Sequence, residues 1–340
     1  MSNNSLPSDN PITEGQVRER GLRAIHEGED GVFSQSWFPV CLSSELDSNQ
    51  LLGRDFLDGR VIVFRGADGK AHVKSGYCPH VGADLSVGRI VDNNVQCAFH
   101  HWEYDPTGRC VKTGIGDPPP LGACLFNFPT LEKYGIVWAF NGIEPLWDLP
   151  DMDRDNIVTH VFHTDMYQCD PWVFAANTPD MQHIKVVHGI RFRHDDPHTD
   201  VNWTDWGFDY RIVAEHGQGP DIDWKIGIKG TSTYMQQGLV DGWWLGVYAG
   251  FSLPRPGCHQ AYVCIAVERG DDSPEAIHRQ DQLLEFGTNL LRNTAEEDRP
   301  ILDSIHYNPR NLTRGDRTLG RYLVFLRDYP RAHPSRNLIN

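Results

Sequence analysis

The chain has 340 residues, enough for more than one hydrophobic core, so two domains are expected rather than one. Hydrophobic residues at 39%, aromatics at 11% and charged residues at 23% exclude wholesale disorder, and no apolar run approaches the length of a membrane span. The formal net charge of -15 argues against nucleic acid or an anionic membrane as the main partner, because phosphates need a positive counterpart. Eight cysteines, thinly spread, do not form the dense framework of a small disulfide-stapled domain, and Met1 to Asn10 lacks the basic start and apolar core of a secretory signal. A cytoplasmic protein with reduced thiols is the expectation.

In chain order, residues 1–34 read as a polar, Pro-containing arm at 1–12 followed by a short charged helix from Glu14 to Glu29. From Trp37 to Asn141 short apolar runs such as Val61-Ile62-Val63-Phe64 alternate with Gly and Asp turns, which predicts a small all-β domain within 35–150. Gly114 to Gly122 is too rich in Pro and Gly for regular structure, and the Pro-bearing break at Glu144 to Asp151 marks the domain boundary. The domain at 151–340 opens with a strand-like run at Ile157 to Met166. A helix follows, in which Asp170 can cap, Pro171 suits the first position, Ala175, Ala176 and Met181 continue, and Gly189 ends the segment. Strand-like runs from Trp203 to Glu268 and a helical region from Pro274 to Ile305 complete an α+β pattern with an antiparallel sheet.

Two constellations carry chemistry. The first is Cys78-Pro79-His80, sixteen intervening residues, then Cys97-Ala98-Phe99-His100. Ligands two or three residues apart reach one metal centre only from a curled loop, and Pro79 and Gly82 supply the curl in the first. Thiolates with imidazoles suit either a tetrahedral zinc or an iron-sulfur centre in which two His replace two Cys on one iron. Zinc sites of this composition more often show a Cys pair followed by a His pair, whereas here each arm contributes one of each.

The second is Asp180, His183 and His188. Asp180 and His183 share a helical face, while His188 lies about 140° further round and converges only if the helix ends near it, as Gly189 allows. Two His and a carboxylate on one face of an iron leave positions open for dioxygen and substrate, so a third, distant ligand is required. Taken alone, DxxHxxxxH in a helix more often marks ordinary core or surface histidines than a metal site.

CPHxGA, the gap and CxFHHWxYDxxG resemble the cluster loops of Rieske proteins, and in particular of the Rieske-type non-haem iron oxygenases, terminal oxygenase components of the one-subunit hydroxylase and demethylase kind. Neither loop has the extra Cys with which respiratory Rieske proteins form a disulfide, and Cys110 reads as a core thiol. The resemblance implies a [2Fe-2S] cluster on Cys78, His80, Cys97 and His100, with the two imidazoles facing outward and His101 packing or hydrogen-bonding nearby. NxxDxxHxxxxH of the same family fits Asn177, Asp180, His183 and His188, which implies a mononuclear Fe(II) on His183, His188 and a later Asp. Asp298 in Glu296-Glu297-Asp298-Arg299-Pro300 is that Asp, with Glu297 and Asp303 as alternatives and Pro300 a departure from the smooth helix expected.

The resemblance further implies a helix-grip (START-like) second domain and dioxygen as co-substrate. Asp180 would bridge a cluster His of a neighbouring subunit and an iron-bound His, in a head-to-tail homotrimer. No G-x-G-x-x-G stretch or flavin signature occurs, so NAD(P)H is reached only through a separate ferredoxin or flavin reductase. Trp203, Trp206, Trp224, Trp243 and Trp244 are candidates to line an apolar cavity for an aromatic or polycyclic small-molecule substrate, with core packing the alternative. Arg54, Arg60, Arg65, Lys70 and Lys74 offer either a docking face for an acidic ferredoxin or a solvated strand surface. The expected reaction is hydroxylation or oxidative O- or N-demethylation; the rival is an electron carrier or ligand-binding module without a working second iron.

Overall fold

The computed structural model describes residues 24–47, 50–193, 196–216 and 220–340. The arm at 1–12 and most of the helix expected at 14–29 lie outside these residues. Residues 24–28 are not helical, and Glu29–Gly31 forms only a 3-10 turn in which Asp30 has φ 56°.

The N-terminal domain is built from three small antiparallel sheets. One runs Asn127–Phe128, Ala71–Ser75, Gly59–Arg65, Leu51–Phe56; a second runs Thr130–Lys133, Ile136–Phe140, Trp37–Leu42; the third runs Arg89–Val91, Asn94–Gln96, Glu103–Tyr104, Cys110–Lys112. Val61, Val63 and Val73 face one core with Phe38 and Phe56, whereas Ile62 and Phe64, one residue out of phase, face another with Cys78, Cys97 and Tyr104. Period-two alternation in a strand buried on both sides thus feeds two clusters at once.

The second domain is an antiparallel sheet ordered Ile157–His163, Ala261–Glu268, Trp243–Phe251, Thr233–Val240, Asp221–Lys229, Gly207–His216, Ile190–Phe192, with Asn202–Thr204 also on Gly207–His216. Leu245, Val247, Ala249 and Phe251 point to the face covered by helices α3 (Pro274–Leu302) and α4 (Arg317–Asp328), while Trp244 and Tyr248 point to the opposite face, against Trp37, Ile136, Trp138 and Phe140 of the N-terminal domain. The strands Trp243–Phe251 and Ala261–Glu268 are therefore buried on both sides. Gly250 makes that approach possible: a Cβ there would lie 2.3 Å from the Trp138 ring. The chain's end returns to the first domain, where Arg331–Ala332 pairs with Phe33–Ser34 and Ile339 joins its core.

The single helix expected after Asp170 is instead two, α1 (Pro171–Ala175) and α2 (Met181–Val186). Pro179 disfavours helical backbone at Thr178 and has no N–H to continue the ladder, so the chain restarts at Asp180. Asp170 makes no side-chain capping bond; its carboxylate accepts from Glu27 N–H, Gly257 N–H and His26 Nδ1, tying together three segments remote in sequence. Pro300, by contrast, sits inside α3 without breaking it, two residues before the helix ends, where few bonds remain to be lost.

Candidate metal centres and substrate cavity

The two Cys-His arms form matching loops. Cys78 N–H donates to Ala83 O while Gly82 N–H donates to Cys78 O, and Cys97 N–H donates to Trp102 O while His101 N–H donates to Cys97 O. The fifth residue of each loop, Gly82 at φ 81° and His101 at φ 56°, takes the left-handed conformation that closes the turn, so His101 serves the loop through its backbone. Cys78 and Cys97 are buried and unbridged, and Cys78 Sγ lies 3.0 Å from Tyr104 Oη. His80 and His100 are exposed, their ring centroids 4.7 Å apart, with Trp102 stacked on His80. Burial raises the Cys78 thiol above its ordinary range, against the Tyr104 hydroxyl and the His80 backbone N–H, which lower it. The arrangement of the Cys-His four, thiols inside and imidazoles outside, fits a two-iron Rieske cluster.

A second group of candidate ligands, His183, His188 and Asp298, converges within 4.8 Å. Asp180 caps α2, its Oδ1 accepting from Gln182 N–H and His183 N–H at 3.0 Å each, which fixes the turn bearing His183. The helix ends at Val186 and Gly189 takes φ 65°, so His188 swings back: the two Nε2 atoms lie 3.0 Å apart. Asp298 Oδ1 lies 3.4 Å from His183 Nε2 and 3.5 Å from His188 Nε2. Two nitrogens each about 2.1 Å from one ion and at right angles to each other would be about 3.0 Å apart, so the spacing suits a facial triad. Asn177 Nδ2 donates to Asp298 Oδ2 at 2.9 Å, whereas the buried Oδ1 has no hydrogen-bond partner. An uncompensated buried carboxylate oxygen facing two imidazole nitrogens is stable only beside a cation.

Glu297, an alternative ligand on sequence grounds, accepts from His188 Nδ1 at 2.9 Å instead. It thereby sets the tautomer that leaves Nε2 free to ligate. Asp303 caps the end of α3, accepts from Gln168 N–H, and stands apart from the triad.

His188, Asp298 and Asn177 line a cavity of about 150 Å³ whose wall is mostly apolar, with Phe162, Phe174, Phe251, Ile226 and Leu291 also in its lining. Of the five tryptophans singled out, Trp224 alone lines it. Trp203 and Trp206 pack on Phe325 and Tyr329, Trp244 belongs to the interdomain core, and Trp243 lies under Arg279. The aromatic lining that sequence reasoning missed is mainly Phe, on α1 and on strands whose inward parity it had not resolved. Of the basic residues near the cluster, Lys70 is exposed, whereas the others are paired or buried. Arg54 pairs with Glu45, Arg60 with Asp55 and Asp84, and Arg65 with Glu132. Lys74 is buried, donating to Pro106 O and Asn127 Oδ1.

Residues 36–126 match the Rieske [2Fe-2S] domain. The chain is 35% identical over 123 residues to cholesterol 7-desaturase of Bombyx mori, covering 35% of this chain and 27% of that protein. It is 34% identical over 171 residues to aminopyrrolnitrin oxygenase PrnD of Pseudomonas fluorescens, covering 46% of each. The matched region thus spans less than half the length of each of these relatives. Over 86% of this chain the fold is similar to that of dicamba monooxygenase, solved with dicamba bound, at a TM-score of 0.68 and 20% identity, covering 97% of that chain.

Proposed function

We propose that this Rieske-domain chain is the terminal component of a non-haem iron oxygenase, catalysing O2-dependent hydroxylation or oxidative O- or N-demethylation of an apolar small molecule. The observation that carries the reading is the convergence of His183, His188 and the unpartnered Asp298 Oδ1 beside an apolar cavity that His188 and Asp298 line, in a chain that also has a Rieske domain. Cys78, His80, Cys97 and His100 would hold the cluster, and His183, His188 and Asp298 the mononuclear Fe(II). When bound, the two centres supply a one-electron relay and the reduction of dioxygen. The chain's own residues do the rest: Asn177 holds Asp298 Oδ2 so that Oδ1 faces the metal position, Glu297 orients His188, and the apolar wall excludes water from the substrate.

Electrons would come from NAD(P)H through a separate ferredoxin or flavin reductase. The active form we propose is a cytoplasmic head-to-tail homotrimer, in which Asp180 couples the cluster of one copy to the iron of the next. Support comes from the exposed apolar Val81 and Phe99 beside His80 and His100, and from the exposed Val186 on α2, which an interface between copies would bury. Asp180 Oδ1 is taken up in capping, and Oδ2 makes no hydrogen bond among the described residues.

The test is iron analysis combined with isotopic oxygen incorporation and formaldehyde release, using a generic reductase. Three irons per chain, product labelled from 18O2 or formaldehyde released, and loss of turnover in His183→Ala are expected. Cluster iron alone, with turnover unaffected by His183→Ala, would leave the chain an electron carrier or ligand-binding module.

A further inference from the structure

The cavity wall holds one position where burial and chemistry disagree. Gln236 is buried in the strand Thr233–Val240, facing Ile226 on one neighbouring strand and Val247 on the other, both apolar core residues. A primary amide among aliphatic side chains is destabilising unless its hydrogen-bonding capacity is used. Half of it is: Tyr234, two residues earlier and on the same face, donates its hydroxyl to Gln236 Oε1. Burial raises the Tyr234 phenol above its ordinary range, so it stays protonated and remains the donor. With Oε1 pinned as the acceptor, the amide nitrogen is the group left over, and Nε2 makes no hydrogen bond among the described residues.

Three other polar lining groups are already engaged. Thr294 Oγ1 donates to Leu290 O, Thr164 Oγ1 to Asp165 O, and Asn177 Nδ2 to Asp298. A second donor stands nearby on the adjacent strand, since Trp224 also lines the cavity and its buried Nε1 has no partner. No Lys or Arg is among the lining residues, so nothing there would neutralise a carboxylate or phosphate away from the metal position.

We infer that Gln236 is the specificity-determining residue of this cavity, its Nε2 donating to a carbonyl or ether oxygen on an otherwise apolar, uncharged ring compound. Calling that compound a substrate rests on the oxygenase reading; its recognition does not. A site built around an unspent donor discriminates against a ligand lacking the acceptor, because the donor is then left buried and unpaired.

The test compares two probes of nearly equal shape, tetralin and 1-tetralone, titrated calorimetrically into the full-length, iron-loaded protein without oxygen. 1-Tetralone is expected to bind about tenfold more tightly, the size of one neutral buried hydrogen bond. Gln236→Leu should abolish that preference, with tetralin bound at least as tightly as by the unaltered protein because no donor is left unpaired under it, which also reports an intact cavity. Tyr234→Phe, which unpins the amide, should reduce the preference without abolishing it. Equal binding of the two probes to the unaltered protein, no binding of either, or a preference that survives Gln236→Leu would each overturn the inference. Loss of the oxygenase reading would instead be seen in iron content and turnover, with the 1-tetralone preference intact.

Discussion

Replacing Glu297 by Leu tests whether the triad is a metal site shaped by its surroundings. His188 has Nδ1 2.9 Å from Glu297 Oε2 and Nε2 3.0 Å from His183 Nε2. A neutral imidazole carries one N–H; the carboxylate holds it on Nδ1 and so presents the Nε2 lone pair to the metal. Without that acceptor the two tautomers compete and the ring is free to turn, a change that typically weakens metal binding by about 10- to 100-fold. Glu297 is half exposed, its side chain 54% accessible, so water replaces part of the lost bond and the effect belongs at the lower end. We expect Glu297→Leu to weaken Fe(II) binding about tenfold, or about 1.4 kcal/mol, and Glu297→Gln, which keeps an acceptor oxygen, to weaken it less than about threefold. The assay is anaerobic competition for Fe(II) against a chelator, with the visible absorption of the cluster as a control that must not change. If Glu297→Leu binds Fe(II) as tightly as the unaltered protein, the tautomer argument fails. If Glu297→Gln is as weak as Glu297→Leu, charge rather than hydrogen bonding holds the site.

Three further outcomes are expected. Cys78→Ser should abolish visible absorption and the reduced-state paramagnetic signal while the far-ultraviolet dichroism of the sheets persists; retained absorption would remove Cys78 from the ligand set. Gly250→Val places a side chain where the Trp138 ring lies 2.3 Å from even a Cβ, in a strand paired on both edges. It should cost about 1–3 kcal/mol and lower Tm by several degrees in calorimetry, and an unchanged Tm would contradict the packing of the two domains. The third concerns pH. The hydrogen bond to Asp170 raises the His26 pKa, a contribution to stability present below about 6.5 and lost as pH rises through the raised value. Burial alone would raise Asp170, yet the bonds from His26, Gly257 N–H and Glu27 N–H hold it below its ordinary range; its contribution is lost as pH falls through that lowered value. The pair therefore stabilises most between about pH 4 and 6.5. His26 is more than half exposed, so His26→Ala should cost no more than about 1 kcal/mol at pH 6 and almost nothing at pH 9 in urea denaturation, and a pH-independent difference would contradict the pairing.

The candidate metal sites were legible where the candidate ligands lie close in sequence. Cys78 with His80, Cys97 with His100, and His183 with His188 are each brought together by a single loop or helix end, and local turn chemistry suffices to infer that. Asp298 was legible only through the family resemblance, because its distance in space from His183 is set by the packing of α3 on the sheet. Glu297, its neighbour in sequence, could not be told from a ligand until the orientation of α3 showed which carboxylate points inward and which meets His188 Nδ1. The helix after Asp170 was misjudged because alanine propensity outweighed Pro179 in the reading, whereas the carboxylate of Asp170 had better partners in segments that arrive from elsewhere.

The sequence by itself thus determined the kinds of centre this protein can hold, since thiolate, imidazole and carboxylate at short spacings leave few chemical alternatives. It also determined the class of fold, since alternating apolar runs followed by a long amphipathic segment must bury one face against another. What only the tertiary structure decided is what the cavity accepts. Gln236 facing Ile226 and Val247, the spending of Tyr234 on its oxygen, and the place of Trp224 in the lining all depend on strand register, and a slip of one residue would turn each of them to the other face of the sheet.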